Sequence, residues 1–171
     1  MVQAMIYLSL GSNLGDRQAN LETALSILSD TIALQAVSPI YETKPWGYLH
    51  QPNFLNCACA ATTILSPPDL LQLIHGVEES MGRKPNFRYG PRLIDLDILL
   101  YDDLICQSPS LEIPHPRLAE RAFVIIPLAD VAKDVIHPIL KEPAIDLAAR
   151  VEGKETVRLW SPPISLPPNT G

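Results

Sequence analysis

The stretch RLIDLDILLYDD, from Arg92 to Asp103, restricts the possible folds more than any other part of the chain. Leu93, Ile94, Leu96, Ile98, Leu99 and Leu100 form a nearly unbroken apolar run, which reads as a strand. Asp95 and Asp97 are planted in its middle. Residues two apart on a strand share a face, so both carboxylates point one way while Ile94, Leu96 and Ile98 point the other. Two like charges held side by side on an apolar strand are unfavourable until something neutralises them.

The nearest candidates lie just upstream. Arg83, Lys84, Arg88 and Arg92 fall within ten residues and end at the aspartates, in a chain whose net charge is −6. An acidic protein is a poor general binder of nucleic acid. A local basic cluster beside two carboxylates suits a small polyphosphate instead. Two readings of the pair stay open on spacing alone: salt bridges to Arg88 and Arg92, or a Mg²⁺ site completed by substrate phosphates and water. A guanidinium fork matches phosphate oxygens as well as carboxylates, which favours the second. Neither G-x-x-x-x-G-K-[ST] nor G-x-G-x-x-G occurs, so side chains must hold the phosphates.

The 171 residues suit one domain with a real core, at 47% hydrophobic and 19% charged. No apolar stretch approaches the roughly 18–20 residues needed to cross a bilayer. MVQAMIYLSLGSN has neither a basic leader region nor a cleavage pattern, so a cytoplasmic address is expected. Cys57, Cys59 and Cys106 form no zinc or disulfide framework and read as buried, reduced thiols.

Along the chain, Met5–Leu10 alternates as a first strand, and the turn GSNLGD leads into a helix over 16–29 with Leu21, Ala24, Leu25 and Leu28 at helical spacing. Thr31–Thr43 reads as a second strand with a break at Pro39, and Asn53–Leu65 as a long third. Ser66-Pro67-Pro68-Asp69 is a helix start, with an N-cap Ser, Pro at the first position and an acid at the third. Leu70, Leu73, Ile74, Val77 and Met81 give that helix its apolar stripe, and Gly82 terminates it. Ile113–Val131 reads as a loop followed by short helical turns, and Pro143–Val151 as one more helix. The order βαββαβ predicts an α+β sandwich: an antiparallel sheet with helices on one face and a C-terminal annex of helix and strand. One domain over 1–160 and a proline-rich, extended and mobile tail over 161–171 are expected.

Further chemistry sits on the third strand and beyond. Phe54 and Asn56 share a face, an aromatic surface beside an amide that both donates and accepts, as reading a flat heterocycle requires. Phe123 offers a second stacking surface or a core contact. Pro114–Arg117, PHPR, sets a His and an Arg in a rigid loop, and Arg121 lies four residues beyond. His50, His75 and His137 look like isolated surface or packing residues.

LSLGSNLGDR (Leu8–Arg17), ETKPWG (Glu42–Gly47), PNFLNCA (Pro52–Ala58), the run from Gly82 to Tyr101 containing GPRLIDLD, and IPHPRLAERAFVIIPLADV (Ile113–Val131) together resemble the 6-hydroxymethyl-7,8-dihydropterin pyrophosphokinases of folate biosynthesis. The resemblance spans roughly residues 4–160 and implies a ferredoxin-like α+β fold. It implies transfer of pyrophosphate from ATP to the pterin's hydroxymethyl oxygen, leaving AMP. By the same resemblance, Asp95 and Asp97 hold two Mg²⁺ ions, and Arg83 and Arg92 contact phosphates, Arg83 from a loop that closes over the reactants. These four form the implied catalytic set. Phe54 and Phe123 would sandwich the pterin, with Asn56, Thr43 and Trp46 at its edge. Glu78, Leu99, His115 and Arg121 are implied ATP contacts. The chain departs from some relatives at Lys84, Tyr89 and His75, and in a shorter basic loop, so loop closure and product release transfer least. A monomer, or else a dimer, is expected.

Two other classes remain from the residues themselves. A ligand-sensing module on the same scaffold would bind an effector without Mg²⁺ or the arginine loop. A metal-dependent phosphohydrolase would need more His and Asp ligands than the chain offers.

Overall fold

The computed structural model describes residues 2–45, 47–82 and 90–166. Strand β1 (Ala4–Ser12) leads through the GSNLGD turn to helix α1 (Arg17–Ser29), capped by Asp16, whose carboxylate accepts from the Ala19 N–H at 3.0 Å. The expected second strand divides at Ser38-Pro39 into β2 (Ala33–Val37) and β3 (Ile40–Thr43), both pairing with β4 (Phe54–Thr63). Helix α2 (Pro67–Ser80) begins as its sequence predicts, with Ser66 Oγ accepting from Asp69 N and Pro at the first position. Gly82 follows it in the left-handed region at φ 86°, where a Cβ would be strained. The aspartate strand is β5 (Asp95–Tyr101). Then come a small hairpin of β6 (Cys106–Gln107) and β7 (Glu112–Ile113), helix α3 (Ala122–Ala132), helix α4 (Ala144–Arg150) and β8 (Val157–Ser161).

The main sheet is antiparallel, in the order β5-β1-β4-β3-β8, with β2 also on β4. Alternation sorts its side chains. Ile6, Leu8, Leu10, Leu55, Cys57, Cys59, Leu96 and Ile98 pack with the apolar stripes of α1 and α2 into one buried cluster. Each such leucine or isoleucine, once buried, contributes roughly 1.5–3 kcal/mol. Both thiols there are free, and burial pushes the Cys59 thiol up to about 12.

The expectation of helices on one face is corrected. Leu99, Leu100 and Tyr7 pack with α3 and α4 into a second cluster on the opposite face. A bulge makes this possible: Leu8 pairs with Ile98 and Tyr7 with Leu100, leaving Leu99 as an extra residue. Leu99 and Leu100 both serve the second cluster, and Tyr101 returns to the first.

Two further expectations change. Ala122–Ala132 is a continuous helix, not a series of short turns, although Pro127 lies inside it. Pro127 removes one backbone donor, but Ala122, Val124, Ile125 and Leu128 are buried on the sheet, and tertiary packing outweighs local propensity. The first residues of the proline-rich segment are also anchored. Ser161 ends β8, and Ile164 packs against the first cluster.

Candidate active site

Helix α3 covers only part of its face of the sheet. Asn56, Ala58 and Ala60 alternate on β4, and the two small residues sit fully buried where the helix lies. Beyond the N-terminal turn of α3 the face is open. There Ser9, Gly11, Thr43, Lys44, Phe54, Asn56, Gly90, Arg92, Asp95, Asp97, His115, Arg121 and Phe123 line a cavity of about 350 Å³.

Register explains the layout. Gly11 stands between Asp95 on β5 and Asn56 on β4, and Ser9 between Asp97 and Ala58. Thr43 lies opposite Phe54. One face of four neighbouring strands thus runs from paired carboxylates to an aromatic–amide corner. Asn56, 4% exposed, donates from Nδ2 to Thr43 Oγ1 at 2.6 Å. Its Oδ1 lies over Gly11, where a Cβ would approach it to 2.7 Å. Glycine at this point leaves the amide its place. The Arg121 guanidinium lies 5.7 Å from the Phe123 ring centroid, joining the cationic and aromatic walls.

A second cavity of about 350 Å³ backs onto the first. Leu71, Ile74, His75, Glu78, Leu111 and Pro116 line it, and Asp95, Asp97 and His115 belong to both. Glu78 is buried, with Oε2 accepting from Leu96 N at 3.3 Å. His115 is fixed through backbone and ring: its backbone N–H donates to Leu99 O at 3.0 Å, and its ring Nδ1 accepts from Arg117 N at 3.2 Å. Burial first, then the positive charges of Arg121 and Arg117, lower its pKa to about 4. The imidazole is therefore neutral at pH 7, and with Nδ1 occupied its proton sits on Nε2 as a hydrogen-bond donor.

Of the residues the sequence singled out, Thr43, Phe54, Asn56, Arg92, Asp95, Asp97, His115, Arg121 and Phe123 meet in one cavity, and Glu78 lines the other. The Leu99 side chain is fully buried in the second cluster, so only its backbone reaches the site, through the His115 N–H. Arg83 and Trp46 lie outside the described residues, as do Lys84, Arg88 and Tyr89. His75 borders the second cavity, whereas His137 is a packing residue whose Nδ1 accepts from Ile139 N and Leu140 N. Sequence reasoning missed Ser9, Gly11, Lys44 and Gly90. The small or polar positions of the first strand, alternating with Leu8 and Leu10, were the available signal, but without the register they point at nothing.

Residues 7–133 match the family described as 7,8-dihydro-6-hydroxymethylpterin-pyrophosphokinase. The chain belongs to that family. It is 44% identical over 140 residues to the 2-amino-4-hydroxy-6-hydroxymethyldihydropteridine pyrophosphokinase of Aquifex aeolicus, covering 82% of this chain and 88% of that one. The Bacillus subtilis pyrophosphokinase is 44% identical over 156 residues, covering 90% and 89%. Among solved structures, Plasmodium falciparum HPPK-DHPS has a TM-score of 0.70 at 17% identity, covering 87% of this chain and 43% of that one, so the chain spans under half its length. At such identity the likeness concerns the fold. Among the described residues, no helix of this pyrophosphokinase-family chain is long and apolar enough to cross a membrane.

Proposed function

We propose that the chain transfers the pyrophosphoryl group of ATP to the hydroxymethyl oxygen of 6-hydroxymethyl-7,8-dihydropterin, giving AMP and the pterin diphosphate on the way to tetrahydrofolate. One observation carries this reading beyond family membership. A single sheet face presents two carboxylates at one end of a cavity and an aromatic–amide corner at the other. The strand order, β5-β1-β4-β3 for the βαββαβ frame, supports reading the scaffold as ferredoxin-like.

Asp95 and Asp97 are hard oxygen donors on one face. Among the described residues no cluster of three His, Cys, Asp or Glu completes a protein-only cage. That donor set fits Mg²⁺, which takes one or two carboxylates and keeps its other positions for phosphates and water. We assign two Mg²⁺ ions to this pair; when bound, they offset the charge on the phosphate oxygens.

The chain's own residues supply position and further charge. Phe54 and Phe123 stack on the pterin, while Asn56, held by Thr43, reads its edge together with Trp46. Arg121, Arg92 and Arg83 neutralise phosphate oxygens, and His115 donates from Nε2 without adding a full charge. The second cavity, with Glu78 on its wall, takes the nucleoside end of ATP, and Leu99 contributes through the backbone oxygen that holds His115. The aspartates that both cavities share then sit at the triphosphate, between nucleoside and acceptor. Phosphoryl-type transfer asks chiefly for such alignment and charge neutralisation.

We further assign the catalyst to a single domain that runs on past residue 160 to include all of β8 and Ile164, acting as a monomer in the cytoplasm; three free thiols suit a reducing compartment. Mixing the protein with Mg-ATP and the hydroxymethyl dihydropterin should yield AMP and the pterin diphosphate in equal amounts. ADP as product, or no turnover, would overturn the assignment.

A further inference from the structure

We propose that Ser9 is a further substrate-binding residue: its hydroxyl holds the oxygen of the pterin's hydroxymethyl group beside the aspartate pair. The inference rests on the reaction and the two-ended reading of the cavity given under Proposed function.

A buried hydroxyl needs a hydrogen-bond partner, and the fold provides one almost everywhere. Ser12 Oγ accepts from Asn20 Nδ2 at 3.1 Å, Ser38 Oγ from Ala58 N at 2.9 Å, Thr43 Oγ1 from Asn56 Nδ2 at 2.6 Å and Thr63 Oγ1 from Leu65 N at 3.0 Å. Ser9 is buried as well, at 7% exposed, but among the described residues its hydroxyl meets no partner. Leu8 and Leu10 point into the first cluster, so the Ser9 side chain points the other way, and it lines the cavity. The polar atom that the fold leaves unmet is therefore turned toward the ligand space. A hydroxyl withdrawn from water without a partner costs stability, and a ligand that supplies the partner recovers it.

Register identifies that partner. Ser9 stands between Asp97 on β5 and Ala58 on β4, and Gly11, the next residue on that face, between Asp95 and Asn56. A heterocycle read by Asn56 lies over Gly11, which has no side chain to offer it. A substituent that runs from the ring toward the carboxylates then passes β1 at Ser9, with the Asp97 strand about 4.8 Å away. Ala58 on the other side offers no competing polar side chain. An alcohol both donates and accepts, as serine does, so the two oxygens match. Phosphate oxygens only accept, and Arg92 and Arg121 bring full positive charge to them, against which a neutral hydroxyl adds little. By accepting from the alcohol's O–H, Ser9 Oγ leaves an oxygen lone pair free for the phosphorus. Its work is to hold and aim that oxygen, and no proton passes through it.

The test compares two ligands that differ only in that hydroxyl. Calorimetry with Mg²⁺ and a non-hydrolysable ATP analogue present gives the affinities of 6-hydroxymethyl-7,8-dihydropterin and 6-methyl-7,8-dihydropterin. The native chain should bind the alcohol about fivefold more tightly than the methyl compound. Ser9→Ala should bring that preference to within about twofold of unity by weakening the alcohol alone. The thermal midpoint of the variant should stay level or rise, because the unmet hydroxyl has gone. A preference kept in the variant, with or without a lower midpoint, overturns the proposal. Weaker binding of the ATP analogue would assign the hydroxyl to phosphate and overturn it too. The native comparison stands by itself if Ser9→Ala does not fold: equal affinity for the two pterins rules the contact out. A native chain that binds the pterin but makes no AMP would instead count against the reaction assigned above.

Discussion

The two faces of the sheet are made by the same strands and reach opposite ends. Toward α1 and α2 the central side chains of these strands, Ile6, Leu8, Leu10, Leu55, Cys57, Cys59, Leu96 and Ile98, are aliphatic or thiol and closed from solvent. Toward α3 the same strands present Ser9, Gly11, Asn56, Asp95 and Asp97 around a cavity. One residue of displacement along a strand separates the environments, since successive side chains alternate. The closed face can anchor the strands firmly enough for the open face to carry charge and cavity. Polar groups stay on the open face because water or ligand can solvate them there, while on the closed face each would cost stability.

Substitutions can break this division from either side. The largest effect is expected from Asp97→Ala, which should lower kcat/KM by about a thousandfold, or about 4 kcal/mol, with the thermal midpoint within a few degrees of the native chain. Steady-state kinetics and a melting curve check it together, and unfolding would show the carboxylate to be structural. Across the sheet, Leu8→Ala should do the reverse. Loss of a fully buried side chain should cost about 2–5 kcal/mol in urea unfolding, with KM for both substrates nearly unchanged in the folded fraction.

A smaller effect should sharpen the open face. Gly11→Ala pushes a methyl toward Asn56 Oδ1, at 2.7 Å, and the amide must yield. KM for the pterin should rise about tenfold, while KM for ATP moves little, because one misplaced hydrogen bond is worth about 1–2 kcal/mol. An equal rise in both would show that Asn56 does not read the heterocycle.

The smallest effect is on pH dependence. His115 has its pKa lowered from 6.5 to about 4 by burial first, then by Arg121 and Arg117. Between those values the unfolded chain binds a proton that the native chain excludes, so stability falls as pH falls. His115→Gln should flatten this part of the curve, measured as the urea midpoint at pH 7 and pH 5. An unchanged slope would assign the acid sensitivity elsewhere.

Local signals were legible from the chain alone where a few neighbouring residues decide the outcome. Asp16 and Ser66 mark helix starts because their side chains satisfy N–H groups three residues on. The break at Pro39 follows from a missing donor. Asp95 with Asp97, and Phe54 with Asn56, show a shared face because strand periodicity is intrinsic to the backbone. The family likeness in the motifs then joined these fragments into one site.

Other features needed partners far away in the chain. Ser9 and Gly11 belong to the site only because β1 pairs with β4 and β5 in one register. The bulge at Leu99, the return of β8 beside β3, and the continuity of α3 through Pro127 depend on packing against elements that no local window contains. Asn13 looked like a turn residue, and its partners are 38, 39 and 79 positions distant. The sequence by itself determined which short segments carry charge, ring or cap, since those depend on covalent geometry and nearest neighbours. Only the tertiary structure decided which of them meet, because register and layer order are settled by burial summed over the whole sheet.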